Sequence, residues 1–167
     1  MDDNAIPVAL GCDHAGFPLK AAVAAALGRA GFAVRDCGTD GPARVDYPDF
    51  AHAVCRTVTS GDARFGVLIC GSGVGMSIAA NRHPGIRCVL AADATTARLS
   101  RAHNDANVLA LGARLTGEEQ AADILRAFFD TDYEGGRHDQ RLAKLAPVCG
   151  AHDHDSLVCG AHEQTSP

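Results

Sequence analysis

The chain has 167 residues and a formal net charge of −5, with 15 basic and 20 acidic residues that are spread along the sequence. This length suits one domain with a sizeable core, and the absence of a basic stripe or of about 18 consecutive apolar residues argues against a nucleic-acid-binding or membrane protein. The seven dispersed cysteines are an odd number, so we expect reduced thiols and a cytoplasmic location.

Short apolar runs alternate with helical patterns through the first 130 residues. Strands are predicted at residues 6–12, 33–36, 65–70, 86–91 and 108–111. Helices are predicted at 19–30 and near 49–60, 74–82, 93–103 and 117–129, the last beginning with a capping box at 116–119. This alternation predicts an α/β fold, a doubly wound five-stranded parallel sheet with helices on both faces.

The third predicted strand ends in Cys70 and runs directly into a glycine-rich loop at 71–75. Glycines let the backbone approach a ligand, and the N–H groups of such a loop and of the following helix attract negative charge. The same groups favour a thiolate, which can abstract a proton. The segment therefore predicts a base beside an anion cradle. The alternatives are a buried core thiol and a dinucleotide site using Asp93, although Met76 stands where that motif needs glycine.

Polar side chains follow other predicted elements, where a ligand of a parallel sheet would bind. Asp13 and His14 follow the first strand, and Tyr47 lies in the long second connection. His103 and Asn104 end the fourth helix, where a histidine could shuttle a proton or simply cap carbonyl groups. None of these positions is specific on its own.

After about residue 130 the strand pattern stops, and an arm with a helix to residue 145 is predicted. Arg137 and Arg141 are spaced i, i+4, which on one helix would direct both guanidinium groups to a phosphate. A solvated helix face is the alternative. Because the arm has little apolar surface, we expect it to pack against a second subunit, with the site between the two.

Together these segments closely resemble the family of ribose-5-phosphate isomerase B and galactose-6-phosphate isomerase subunits. The segments are residues 11–16, 46–48, 69–75, 77–81, 103–107 and 134–138. The resemblance covers residues 6 to 145 and implies a Rossmann-like fold and a homodimer or dimer of dimers, with no cofactor or metal. It implies interconversion of D-ribose 5-phosphate and D-ribulose 5-phosphate in the pentose phosphate pathway, with allose, galactose or tetrose phosphates as alternative substrates.

By position, the resemblance makes Cys70 the base that moves a proton between C1 and C2, and His103 the acid/base that opens the sugar ring. It implies that the oxyanion is held by Gly71, Ser72, Gly73, Val74 and Gly75, the sugar hydroxyls by Asp13, Tyr47 and Asn104, and the phosphate by His14, Arg114, Arg137 and Arg141. The Ser72 hydroxyl counts among the catalytic groups, since an enediolate needs donors at its oxygen.

The resemblance is to the cysteine branch of the family. Another branch uses a glutamate where this chain has Met76, and a thioether cannot accept the proton. A non-catalytic sugar-phosphate sensor on the same fold is an alternative of another class, although a sensor needs no base.

Residues 148–167 depart from the resemblance, because the sequence Val-Cys-Gly-Ala-His at 148–152 is nearly repeated at 158–162. Two Cys-x-x-His pairs could bind zinc, but the loop between them is shorter than in zinc fingers. We therefore expect a single domain at 1–147, a tail at 148–167 and no metal.

Overall fold

Residues 5–145 are described by the computed structural model, and they contain one five-stranded parallel sheet. The strands are β1 (Pro7–Cys12), β2 (Ala33–Asp36), β3 (Phe65–Cys70), β4 (Cys88–Leu90) and β5 (Val108–Gly112), in the order β2-β1-β3-β5-β4. The helices are α1 (Phe17–Arg29), α2 (Tyr47–Thr59), α3 (Val74–Ala80), α4 (Ala94–Asn104), α5 (Glu118–Phe129) and α6 (Asp139–Ala143), with a one-turn 3₁₀ helix at Gly136–His138. A helix follows each strand, which confirms the predicted α/β fold.

All five predicted strands are present, and the main difference is the length of β4. The apolar run predicted residues 86–91, whereas the strand spans only Cys88–Leu90. The Ile86 N–H donates to the His83 carbonyl at 3.1 Å in a turn where Gly85 has φ of +81°. The chain therefore joins the sheet only after this turn, at an edge where β4 pairs with β5 alone.

The capping box predicted at residues 116–119 is wrong. The residue that caps α5 is Gly117, without a side-chain hydrogen bond, and Thr116 is buried. The Thr116 N–H donates to the Gly112 carbonyl at 2.9 Å, so Thr116 belongs to the turn after β5 and does not cap the helix. Glu118 and Glu119 still occupy the first turn of the helix, where negative charge is favoured.

The sheet has a core on each face, and successive residues of the central strands alternate between the two. Val67 and Ile69 of β3 pack in one core with side chains of α1, α4 and α5. Leu68 and Cys70 pack in the other core with side chains of α2 and α3. The Cys70 side chain thus lies on the α2/α3 face, at the carboxyl end of a strand that is buried throughout.

The single helix predicted for the arm is wrong, because the arm contains two successive short helices. Arg137 lies in the 3₁₀ helix and Arg141 in α6. Gly135 and Gly136 have φ of +63° and +60°, a backbone that no α-helix accommodates, so the helical part of the arm begins with a 3₁₀ turn at Gly136 and the α-helix begins only at Asp139.

The predicted tail at 148–167, its Cys/His repeat and the domain boundary at residue 147 lie outside the described residues. Within residues 5–145, no helix combines the length and the apolar character that crossing a membrane requires.

Candidate active site

A cleft with a volume of about 230 Å³ opens at the carboxyl edge of the sheet. It is lined by Asp13, His14, Ala15, Tyr47, Cys70, Gly71, Ser72, Gly75 and Arg114. These residues come from the ends of β1, β3 and β5 and from the start of α2. Parallel strands present their carboxyl ends at one edge, so side chains distant in sequence meet there, as the sequence predicted for those after β1 and β3.

Cys70 is at the centre of the cleft and only 5% exposed. The Gly73 N–H donates to the Cys70 Sγ at 3.1 Å, a contact that stabilises a thiolate. Gly73 has φ of +76°, and a Cβ at this position would lie 2.4 Å from the Leu90 side chain. Glycine is therefore required both for the turn and for its close approach to β4.

Neighbouring cysteines are poor candidates for a base. Cys12 ends β1 as Cys70 ends β3, and Cys55 lies on α2. Burial raises the pKa of Cys12 and the pKa of Cys55 to about 11 each, so both thiols remain protonated at neutral pH. Burial likewise raises the pKa of Cys88. Burial outweighs every other influence on these three thiols, and Cys70 alone among the four lies at the glycine loop.

The turn after β1 holds two polar groups at the cleft. The Asp13 Oδ1 accepts the N–H groups of Ala15 at 3.0 Å and of Gly16 at 2.8 Å, which fixes the carboxylate. The His14 Nδ1 accepts the Val45 N–H at 3.3 Å. A neutral imidazole bonded in this way carries its proton on Nε2, where it can donate to a ligand.

Arg114 and Tyr47 flank the glycine loop on its two sides. A Cβ at Gly71 would lie 3.2 Å from the Arg114 Cζ, and one at Gly75 would lie 2.7 Å from the Tyr47 ring. The Arg114 N–H also donates to the Gly71 carbonyl at 3.0 Å, which ties the turn after β5 to the loop. A guanidinium group and several backbone N–H groups thus face the same space, a combination that favours an anion.

The other predicted site residues lie at the opposite edge of the sheet. Because α4 connects two parallel strands, it runs back along the sheet, and His103 and Asn104 at its end lie beside the amino end of β5. The two ends of β5, which has five residues, are on the order of 13 Å apart. The structure therefore does not bring His103, Asn104, Arg137 or Arg141 into the cleft of the same chain.

The arm joins His103 in a second cluster at that edge. The His103 ring stacks on the His138 ring, with centroids 4.5 Å apart and planes at 13°. The Glu134 Oε2 lies 3.9 Å from the His103 Nε2 and 3.6 Å from the His138 Nε2. The Glu134 N–H donates to the Ala102 carbonyl at 3.0 Å, which fastens the arm to α4.

The end of α4 is held rigidly behind this cluster. Asp105 has φ of +45°, and its carboxylate accepts Arg87 at 2.6 Å and Arg101 at 2.7 Å. The Arg87 Nε also donates to the Asn104 carbonyl at 2.9 Å. Charge-assisted bonds of this kind fix the direction in which the helix end presents His103 and Asn104.

Comparison with known proteins identifies the family of the chain. A family model described as Ribose/Galactose Isomerase matches residues 8–145. The ribose-5-phosphate isomerase B of Escherichia coli (strain K12) is 48% identical over 141 residues, which cover 84% of this chain and 95% of that protein. The chain belongs to the Ribose/Galactose Isomerase family.

Two further relatives of the chain are named for different sugars. The solved structure of a ribose 5-phosphate isomerase from Thermotoga maritima has 46% identity and a TM-score of 0.83, covering 86% of this chain and 99% of that one. A galactose-6-phosphate isomerase subunit of Clostridium acetobutylicum is 37% identical over 137 residues, which cover 82% of this chain and 79% of that protein.

Neither a metal nor a dinucleotide is a good fit to the described residues. His103, Glu134 and His138 place three possible ligand atoms within 4.8 Å of one another, but the His138 Nε2 already accepts the Arg137 Nε–H at 3.3 Å, so its lone pair is engaged by a cation. Asp93 accepts the Thr96 N–H and hydroxyl, both at 2.8 Å, bonds that hold its pKa below the usual range. Its carboxylate therefore caps α4 and is not free to bind the ribose hydroxyls of a dinucleotide.

Sequence reasoning assigned no role to Glu134 or His138. Both belong to the segment that carried the resemblance, and their i, i+4 spacing and the position of His138 next to Arg137 are signals that could have drawn attention to them. Their contact with His103 joins the arm to α4, and such long-range packing is not encoded in local spacing.

Proposed function

We propose that the chain is an aldose-ketose isomerase that interconverts D-ribose 5-phosphate and D-ribulose 5-phosphate through an enediolate. The observation that carries the proposal is the Cys70 Sγ, hydrogen-bonded to the Gly73 N–H in a cleft that Arg114 also lines. The 48% identity to a ribose-5-phosphate isomerase B supports this substrate. A reducing, cytoplasmic setting is part of the proposal, since it keeps the Cys70 thiol free.

Cys70 acts as the base in the central step. In the aldose direction, its thiolate takes the proton from C2, the C–H electrons form the C1=C2 bond, and the aldehyde oxygen becomes an oxyanion. Return of the carbon proton to C1, with the O2 proton passing to O1, gives the ketose. Because the Gly73 N–H is already bonded to sulfur, it stabilises the base, and the oxyanion is left to the Ser72 hydroxyl and the other N–H groups of the loop.

The cleft residues bind the rest of the substrate in the proposed complex. Asp13 and Tyr47 contact sugar hydroxyls, with Asn104 beside them. His14, through its Nε2–H, and Arg114 contact the phosphate together with Arg137 and Arg141. These contacts lie away from C1 and C2, so they serve mainly to bind and orient the substrate.

A second copy of the chain completes each site. Because His103 and Cys70 lie at opposite edges of one sheet, one chain can supply only one of them to a given cleft. Val74 and Ile78 are apolar yet 46% and 54% exposed on α3, and Leu90 on the edge strand β4 is exposed beside them. Burying this apolar surface in a homodimer, alone or as half of a dimer of dimers, would stabilise the assembly next to the cleft.

Comparing kcat/KM over a panel of phosphosugars tests the substrate. Ribose 5-phosphate is expected to exceed allose 6-phosphate, galactose 6-phosphate and a tetrose phosphate by at least about tenfold, because one missing or extra hydroxymethylene unit misplaces the phosphate from its arginines. A higher value for galactose 6-phosphate would transfer the assignment to the other branch of the family. Binding of every sugar without turnover or hydrogen exchange would indicate a sensor.

Arg137→Ala and Arg141→Ala are each expected to raise KM about 10- to 100-fold while changing kcat much less, because phosphate contacts bind ground and transition states alike. Steady-state kinetics with ribose 5-phosphate measures the split. Arg126→Ala, which removes an exposed arginine paired with Asp123 on α5, is the matched control and is expected to behave as wild type. If KM is unchanged in both arm variants, the two arginines do not bind the phosphate and simply form a solvated helix face.

A further inference from the structure

We propose that His138 is a positioning residue that fixes Arg137 and His103 relative to each other and so couples the phosphate site to the ring-opening group. The inference rests on the proposed function for the roles of its two neighbours. Its structural basis is that one buried imidazole makes a different kind of contact with each of them.

The first contact is a hydrogen bond. The Arg137 Nε donates to the His138 Nε2 at 3.3 Å, although Arg137 itself is exposed and His138 is only 4% exposed. An arginine held at Nε has a fixed guanidinium plane, while its two terminal nitrogens remain available for a bidentate phosphate contact. His138 therefore restricts an exposed and otherwise mobile side chain to one orientation before the substrate binds.

The second contact is the ring stack. The His103 and His138 planes are within 13° of each other, with centroids 4.5 Å apart, so the buried ring sets the plane of the half-buried one. A general acid/base must direct its nitrogen at the reacting oxygen, and a fixed ring plane limits that direction. The Glu134 carboxylate is within 3.9 Å of the Nε2 atoms of both rings, so it adds a negative charge on one side of the stack.

The two contacts use different properties of the imidazole and can be separated by substitution. His138→Gln retains an acceptor near the position of Nε2 and removes the ring. His138→Phe retains a flat aromatic face and removes the acceptor. Glutamine is close to histidine in volume, whereas phenylalanine is larger, so its packing at this buried site must be checked. Circular dichroism and thermal melting establish that each variant is folded at the assay temperature.

The expected results are opposite for the two variants. His138→Phe is expected to raise both the KM for ribose 5-phosphate and the inhibition constant of inorganic phosphate about tenfold, with kcat within about threefold, because Arg137 loses its orientation. His138→Gln is expected to keep KM within about threefold and to lower kcat about tenfold for the cyclic aldose, because His103 loses its stack. Equal changes of KM and kcat in the two variants would overturn the proposal.

A double-mutant comparison tests whether His138 acts through Arg137. In the Arg137→Ala background, His138→Phe is expected to cause no further rise in the phosphate inhibition constant. A rise as large as in the wild-type background would contradict the proposed route.

A readout without substrate separates this inference from the proposed function. The Arg137 Nε–H resonance is expected to exchange slowly with water in the wild type and in His138→Gln, and rapidly in His138→Phe. If the wild type does not isomerise ribose 5-phosphate, the proposed function is wrong, but the resonance still tests whether His138 orients Arg137. An Arg137 Nε–H resonance that is identical in all three proteins would overturn the inference even if the isomerase is active.

Discussion

Cys70→Ala is expected to lower kcat for ribose 5-phosphate by about 10³-fold or more, because the methyl group that replaces the thiol cannot accept the C2 proton. No other residue of the cleft is proposed to reach that carbon, and Met76, on the helix that follows the loop, is fully buried and has no basic group. Solvent deuterium incorporation at C2, followed by nuclear magnetic resonance, measures the proton abstraction directly.

Cys12→Ala is the matched control for this prediction. Cys12 also ends a strand at the carboxyl edge of the sheet, but burial raises the pKa of its thiol to about 11, so its removal should leave the rate of exchange unchanged. If Cys70→Ala still incorporates deuterium at C2 at the wild-type rate, another group is the base and the assignment of Cys70 is wrong.

His103→Ala is expected to lower the turnover of ribose 5-phosphate about 10²-fold, because this aldose enters mainly as a closed ring that must be opened. Ribulose 5-phosphate cannot close to a furanose, so its conversion to the open-chain aldehyde should fall much less. The comparison requires the aldehyde to be trapped as it forms, since no variant can alter the equilibrium constant. Equal losses in the trapped assay and in the cyclic-aldose assay would contradict a ring-opening role.

The same two variants test whether each site is shared. Cys70→Ala and His103→Ala are each nearly inactive, but in a mixed dimer one site would combine the intact Cys70 of one chain with the intact His103 of the other. Random exchange at equal amounts should therefore restore about one quarter of the wild-type activity, since about half of the dimers are mixed and each has one intact site. No recovery, in dimers that native mass spectrometry shows to be mixed, would place both residues in one chain's site.

The cleft itself was largely predictable from the sequence. A glycine-rich loop after an apolar strand is a local pattern, and the strand ends of a parallel sheet share an edge, so Asp13, His14 and Cys70 were expected to lie together. Arg114 came from the resemblance alone, and the structure places its guanidinium against Gly71. The hydrogen bond from the Gly73 N–H to the Cys70 Sγ could not be predicted, because the partner of a loop N–H depends on the exact conformation of the loop.

Several local predictions failed where tertiary contacts outweighed local signals. Thr116 fits a capping box in sequence, but its backbone is engaged by Gly112 in the turn after β5. Arg137 and Arg141 have the spacing of one helix, yet Arg137 lies in a 3₁₀ turn that ends at His138, and Arg141 lies in the α-helix that begins at Asp139. An i, i+4 spacing places two side chains on the same face only where both residues belong to one continuous α-helix.

The sequence by itself determined the α/β class, the five strands and the position of a glycine-rich loop directly after Cys70, because hydrophobic periodicity and glycine placement are local properties of the chain. The tertiary structure alone decided that His103 lies at the other edge of the sheet from Cys70, and that His138 lies between His103 and Arg137. The direction of a crossover helix and the packing of a distant arm arise from the assembled sheet, so no local pattern carries them.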